Sequence, residues 1–288
     1  MNLWTSFIEQ PGFFYSTVTL LGLLMGSFIN VLAHRLPIML EREWQAEARE
    51  VLGLPEVTHR RLDLCLPASH CPHCGHRIRA WENVPLLSYL ALRGRCSACR
   101  GRISLRYPLL ELGCAGLSLV TAWHWGVSWE ALLALPLVWC LLAVSSIDAE
   151  HQVLPDVLVL PTLWLGLLLN ACGLFVAVTD ALWGAALGYL SLWSVYWVFR
   201  LITGKDGMGH GDFKLLAMLG AWCGWQVLPI TLVLSSLTGA LMGLYLLRRR
   251  HAPMGTAMPF GPYLAIAGWI AWLWGDEMYT FYLQLLGF

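Results

Sequence analysis

The chain has 288 residues, of which 58% are hydrophobic and only 12% charged, with a mean hydropathy of +0.61. Soluble domains carry roughly 25% charged residues, so the polar surface that would keep a protein of this size dissolved is missing. Net charge is zero; charge therefore informs through its distribution and not its sum, and no nucleic-acid partner is expected.

Seven stretches free of Asp, Glu, Lys and Arg cover residues 11–33, 112–129, 131–147, 157–179, 181–199, 215–247 and 252–275. A membrane-crossing helix needs about 20 apolar residues, and six of the stretches fit one span each. Stretch 215–247 is too long for one span and is interrupted by Gly220, Gly224 and Pro229, which predicts two short helices with a turn near 224–229. The expected fold is an all-α polytopic membrane protein of about eight transmembrane helices. The alternative, a soluble protein with buried helices, would have to hide all seven stretches.

The first stretch is preceded by Glu9 and by nothing basic. It is longer than the ~7–15-residue apolar region of a secretory signal, and so is expected to be a span and not a cleaved signal. Twelve of the 18 Lys and Arg lie between Arg35 and Arg106, and the rest are Arg200, Lys205, Lys214, Arg248, Arg249 and Arg250. With eight spans and the N-terminus outside, all of them fall on one side. The opposite loops hold Glu9, Glu130, Asp180, Asp276 and Glu277. The excess of Lys and Arg marks the cytoplasmic side, which places the N-terminus on the opposite, outer side. The expected organisation is a first span at 1–35, a cytoplasmic insertion at 36–107 and a seven-span core at 108–288. No internal repeat is apparent.

The insertion has two parts. Residues 41–54 are charged and helix-prone, with Trp44, Ala48, Val51 and Leu52 on one face; a short helix lying on the membrane or on its neighbours is expected. The second part carries Cys71-Pro72-His73-Cys74 and Cys96-Ser97-Ala98-Cys99. Each Cys-x-x-Cys pair forms a tight turn that aims two sulfurs at one metal, and zinc prefers soft sulfur in tetrahedral geometry. A reducing cytoplasm disfavours disulfides. Four thiolates leave no open position for water, so the metal's role is expected to be structural. A redox pair, or no joint role, are the alternatives. His70, His73 and His76 adjoin the first pair as substitute ligands or as solvent-facing residues.

The acids near the cytoplasmic span ends are Glu111, Asp148, Glu150, Asp156, Asp206 and Asp212, and an ionisable group at membrane depth is costly enough to need a reason. Asp148 closes the third span. Asp212 ends Gly209-His210-Gly211-Asp212, where glycines permit close backbone approach. Two carboxylates in contact share a proton, one serving as base on water and the other as acid, which is what peptide hydrolysis by an aspartic protease requires. Each acid also has a structural reading. Asp156 and Asp212 suit helix N-termini, Asp148 suits an ion pair with Arg200 or Lys214, and Glu111 suits a neighbouring Arg. Lys214 has three readings: lowering the pKa of Asp212, holding a substrate carboxyl, or snorkelling. No nucleophilic triad, His-Glu-x-x-His motif or nucleotide-binding loop is present.

These residues together resemble the bacterial prepilin peptidases, which process type IV pilins and type II secretion pseudopilins. The resemblance spans essentially the whole chain. It takes in Gly26-Ser27-Phe28-Ile29-Asn30-Val31 with Arg35-Leu36-Pro37, both Cys pairs, and Ile103-Ser104-Leu105-Arg106-Tyr107-Pro108 leading to Glu111. It continues through Asp148, Leu154-Pro155-Asp156, the Gly-His-Gly-Asp stretch with Phe213-Lys214-Leu215, and Pro259-Phe260-Gly261-Pro262. The resemblance implies an inner-membrane aspartic peptidase of the Gly-x-Gly-Asp type, with Asp148 and Asp212 as its catalytic acids. It implies cleavage after the glycine that ends a short basic leader, on the cytoplasmic face. It also implies N-methylation of the new terminus from S-adenosylmethionine, with Gly94 and Arg95 as the cofactor candidates. Cys71, Cys74, Cys96 and Cys99 are the expected zinc ligands, and prepilins, pseudopilins and membrane lipid the expected partners. Rival readings are a non-catalytic scaffold or carrier with a zinc-stapled loop, and an enzyme that only methylates.

Overall fold

The computed structural model describes residues 3–55, 57, 61–250 and 259–285; the predicted cytoplasmic loop 248–258 lies outside them from residue 251 onward. Ten α-helices occur among the described residues. They are α1 (Leu3–Glu9), α2 (Pro11–Val51), α3 (Leu87–Ala91), α4 (Arg106–Trp125), α5 (Trp129–His151), α6 (Asp156–Ala171), α7 (Val178–Thr203), α8 (His210–Cys223), α9 (Leu228–Arg250) and α10 (Gly261–Leu285). No β-strand is present among the described residues, only the isolated bridges His70–Arg77 and Arg95–Arg102. Four helices are long and apolar enough to cross a membrane: α2, α5, α7 and the segment Trp225–Tyr245 of α9 and its preceding turn. The chain is thus an all-helical membrane protein. Every predicted apolar stretch carries a helix, and 215–247 carries two, α8 and α9, separated at Gly224 (φ +80°) and a 3-10 turn, Trp225–Val227.

The chain divides into two units, Met1–Trp139 and Cys140–Phe288. In the first, α2 lies against α4. The approach is set by Gly22 and Gly26, four residues apart on one face of α2: a Cβ on Gly22 would stand 2.7 Å from Ala115 Cα, and one on Gly26 would stand 2.6 Å from Glu111 Cα. In a membrane, where lipid is as apolar as Leu, small residues of this kind let helices gain van der Waals contact. Buried polar groups then tie the insertion down. Asn30 Nδ2 donates to Tyr107 O at 3.2 Å, and Arg35 donates to Asp63 O at 2.9 Å and Pro67 O at 2.6 Å.

The 41–54 segment corrects the sequence expectation. It is not a separate helix on the membrane or its neighbours; α2 runs unbroken for 41 residues through Pro37. At 1.5 Å per residue this is about 60 Å, twice the ~30 Å hydrocarbon thickness. The Glu, Arg, Ala and Gln residues after Pro37 are good helix formers with no breaker among them, so the first span simply continues. Trp44 is 50% and Val51 86% exposed within this extension.

In the second unit, α8 is the central helix, packed against α6, α7 and α10. All of its side chains from Asp212 to Cys223 are buried except the half-buried Lys214. Its 14 residues span only about 21 Å. Because protein and not lipid surrounds it, its end carbonyls find protein donors. Asn170 Nδ2 donates to Ala221 O at 2.9 Å and Trp222 O at 3.1 Å, so two of the orphan carbonyls of the helix end are satisfied. Gly184 and Gly188 of α7 face Gly220 and Leu216 of α8; a Cβ on Gly184 would collide with the Gly220 carbonyl, and one on Gly220 with the Gly184 carbonyl.

Candidate metal centre and acidic site

Both Cys pairs form the same backbone knuckle. In the first, Cys71 N–H donates to His76 O, Gly75 N–H to Cys71 O and Ile78 N–H to Ser69 O, at 2.9, 2.9 and 2.8 Å. In the second, Cys96 N–H donates to Gly101 O, Arg100 N–H to Cys96 O and Ile103 N–H to Gly94 O, at 2.9, 3.0 and 2.8 Å. Each bond recurs 25 residues later, so the insertion holds a short structural repeat where the sequence suggested none. It escapes a sequence reading because little more than Cys-x-x-Cys and the Arg-Ile at 77–78 and 102–103 is shared. The turn needs a left-handed residue, Gly75 at φ +71° in one copy and Arg100 at φ +56° in the other.

The knuckles bring Cys71, Cys74, Cys96 and Cys99 together with every Sγ within 4.8 Å of the others, and Cys71 Sγ lies 3.8 Å from Cys99 Sγ. Tetrahedral zinc with Zn–S near 2.3 Å separates its sulfurs by about 3.8 Å, so the donor set fits such an ion. Backbone N–H groups of Cys74 and His73 hold the Cys71 thiol down at about 7, and those of Cys99 and Ala98 lower Cys96. Both shifts favour the thiolate, the metal-binding form, while Cys74, despite the His76 N–H that lowers it, is pushed up to about 11 by burial and by the neighbouring thiols: without a cation the four sulfurs do not all ionise together. No histidine joins the cluster among the described residues. His76 Nε2 lies 3.3 Å from both Glu82 Oε2 and Ser97 Oγ, and His70 Nδ1 lies 3.3 Å from Ala68 O. Beside the second knuckle is a cleft of about 530 Å³, lined by Tyr89, Arg93, Gly94, Arg95, Arg102 and Ser104 among others.

The second unit carries the acids. Asp148 stands in the last turn of α5 and is 6% exposed; Asp212 stands in the first turn of α8 and is 7% exposed. The two carboxylates interact electrostatically. Asp148 Oδ2 accepts the Gly261 N–H at 2.9 Å, at the start of α10. Leu154 packs against both Gly211 and Gly261: a Cβ on Gly211 would lie 2.7 Å from Leu154 Cβ, and one on Gly261 3.2 Å from Leu154 Cδ2. Leu154, in the 152–155 connection, thus touches both α8, which carries Asp212, and the start of α10, whose Gly261 N–H holds Asp148.

The structural readings of the charged residues resolve differently. Lys214 pairs with Asp156, Nζ lying 2.6 and 2.8 Å from its two oxygens. Arg200 pairs with Asp206 at 3.5 Å. The expected partnership of Asp148 with either cation does not form. Asp156 and Asp212 do stand in the first turns of α6 and α8, as their helix-terminus reading expected, but the N-cap positions are Pro155 and Gly209, which make no side-chain cap bond. Glu111 was expected beside an Arg; its Oε2 instead accepts the Leu86 N–H at 2.8 Å. That N–H belongs to a leucine at φ +59°, a conformation that β- and γ-branched residues rarely hold without help. Two residues with a part in the site, Gly261 through its N–H and Leu154 through its position, stand in stretches that the family resemblance takes in, but nothing local in the sequence ties either of them to the acids.

The Bacterial Peptidase A24 N-terminal domain matches residues 20–125, and the Type IV leader peptidase family matches residues 135–244. A "Prepilin leader peptidase/N-methyltransferase" of Pseudomonas putida is 68% identical over 288 residues, covering 100% of both chains. The chain belongs to the type IV leader peptidase family. Other members, of the same printed name, are 61% identical over 289 residues in Pseudomonas aeruginosa (100% of both chains) and 56% over 275 residues in Aeromonas hydrophila (95% of both). No solved structure matches the chain. Within this leader peptidase, the N-terminal family domain holds the four cysteines and lies inside the first unit, while the peptidase domain holds both Asp148 and Asp212.

Proposed function

We propose that this leader peptidase removes the short basic leader of type IV prepilins and pseudopilins, cutting after a glycine, with Asp148 and Asp212 as its two catalytic acids. The supporting observation is a pair of buried, electrostatically interacting carboxylates with neither nearby cation spent on them. Two such groups resist ionising together. One takes a proton from water as that water attacks the glycine carbonyl, and the other protonates the leaving amine. No covalent intermediate is required. Gly209 leaves room for an extended substrate chain, whereas the space beside Gly211 is taken by Leu154.

The enzyme sits in the bacterial inner membrane as about eight spans, N-terminus periplasmic and acids cytoplasmic. The excess of Lys and Arg between the spans supports this orientation. Its parts are a first span at 1–35, the insertion at 36–107 and a seven-span core at 108–288. Cys71, Cys74, Cys96 and Cys99 hold zinc as a closed structural site. The new N-terminus is then methylated; S-adenosylmethionine supplies the methyl group. Gly94 and Arg95 are its candidate contacts, since both line the cleft beside the second knuckle.

The test is cleavage of a prepilin in liposomes by wild type, Asp148→Asn and Asp212→Asn. Asparagine keeps the shape and removes the titrating proton. Both variants are expected to fold, keep their metal and lose cleavage by on the order of a thousandfold or more. Near wild-type cleavage by either one removes that residue from the acid pair.

A further inference from the structure

Asp212 is presented by a loop that has little stiffness of its own. Residues 204–209 read Gly-Lys-Asp-Gly-Met-Gly, and three glycines in six positions give the backbone freedom it must lose to hold one geometry. What fixes the loop is the last two turns of α7. Gly204 (φ +68°) donates its N–H to Arg200 O at 2.8 Å. Gly207 lies flat on the Phe199 ring, where a Cβ would stand 2.6 Å from the ring carbons. Between these two contacts, Asp206 Oδ1 accepts the Tyr196 hydroxyl at 2.7 Å, and Arg200 Nη1 donates to the same hydroxyl oxygen at 3.0 Å.

These contacts differ in weight. The Arg200–Asp206 ion pair is 3.5 Å long with side chains 47% and 71% exposed, and exposed pairs contribute little. Arg200 is also drawn over the Trp197 ring, 5.3 Å from its centroid. Tyr196 is 3% exposed. Its ring is packed against His210 at 5.1 Å and Phe213 at 5.7 Å, the residues that flank Gly211-Asp212. The hydroxyl is therefore anchored in the protein interior at one end and grips the loop at the other. Any shift of the loop reaches Asp212 within one turn, because the Asp212 N–H itself donates to Gly209 O at 3.3 Å.

We propose that the Tyr196 hydroxyl, bonded to Asp206, is the latch that seats the 204–209 loop and so sets the position of Asp212. Tyr196 and Asp206 are positioning residues for cleavage, an assignment that rests on Asp212 being a cleavage acid. The Tyr196→Phe variant keeps the ring packing and deletes only the grip. Asp206→Ala deletes the same bond from the other side. Asp206→Asn keeps an acceptor oxygen for the tyrosine O–H while abolishing the charge.

The experiment compares the full-length protein in liposomes as wild type and as Tyr196→Phe, Asp206→Ala, Asp206→Asn and the Tyr196→Phe/Asp206→Ala double variant. Prepilin cleavage kinetics, thermal unfolding and hydrogen exchange over 204–212 are read for each. Tyr196→Phe and Asp206→Ala are expected to lower kcat by on the order of tenfold, as misplacing a catalytic group does, at unchanged KM and Tm. The double variant should be no slower than either single one, and Asp206→Asn should stay near wild type. Exchange of the 204–212 amides should quicken in Tyr196→Phe and Asp206→Ala alone. The latch is overturned by wild-type kcat in Tyr196→Phe, by an Asp206→Asn variant as slow as Asp206→Ala, or by a kcat loss that only follows a falling Tm. Unchanged exchange in Tyr196→Phe also overturns it, and that readout needs no cleavage. Failure of wild type to cleave, with exchange quickened as expected, would instead strike the peptidase reading and leave the latch standing.

Discussion

Gly261 carries a demand that no other residue type meets. Its N–H reaches Asp148 Oδ2 at 2.9 Å, and a Cβ there would stand 2.7 Å from the same oxygen and 3.2 Å from Leu154 Cδ2. Gly261→Ala retains the donor but pushes the carboxylate aside. Cleavage is expected to fall by on the order of tenfold to a hundredfold, with an overpacking cost of about 1–3 kcal/mol. Gly239→Ala, where the nearest atom is 3.7 Å away, is the control, with kcat and Tm measured on both. Equal activity in the two variants would sink the idea that Gly261 seats Asp148. The sequence made Asp148 and Asp212 visible because acids at the ends of apolar runs are rare and costly. It could not show Gly261 as the partner of Asp148, 113 residues away, because no local period encodes such a contact. The same holds for Lys214, whose partner Asp156 lies 58 residues earlier.

At the scale of elements, the α7–α8 seam rests on glycine meeting glycine. The missing side chains at Gly184 and Gly220 let each backbone approach the other's carbonyl, and α8 brings Asp212 into the interior only because it can lie that close. Gly184→Val and Gly220→Val must each part the helices, at a cost of about 1–3 kcal/mol or more. A lowered Tm and reduced cleavage are expected in both. Gly116→Ala on α4, which has nothing within 4 Å, should be neutral or up to about 1 kcal/mol stabilising through helix propensity. A Gly184→Val protein that unfolds with wild type would mean that the seam is not tight. Element boundaries were legible where a breaker marks them: Gly224 and Pro229 announced the division of 215–247, and α8 and α9 separate there. They were misleading at Pro37, where a change from apolar to charged composition looked like a boundary. Composition reports what surrounds a helix, whereas its backbone continues as long as its residues favour it.

Across the whole molecule, the two units differ in what holds them. In the second, α8 is sheathed by other helices and its apolar side chains are buried. In the insertion, among described residues 61–105, only Cys71 and Gly94 are buried. A segment of that size with no apolar core does not order itself by burial; the thiolate cluster is the available staple. Structural zinc sites in small modules contribute on the order of 10–16 kcal/mol to folding, far more than the few hydrogen bonds between the knuckles. The protein should therefore hold one zinc per chain, lost on Cys71→Ser or Cys96→Ser substitution. A strong chelator should open the arginine-rich 77–106 stretch to trypsin. Hydrogen exchange over α8 should stay at its wild-type level through the same treatment, because nothing in the burial of that helix depends on a metal. If the stripped insertion resists trypsin as well as the loaded one does, its order comes from elsewhere. The bracket that would then remain is the contact of the Leu86 N–H with Glu111 and of Arg35 with Asp63 O and Pro67 O, and the metal would be a passenger in a fold that the first membrane helices had already fixed.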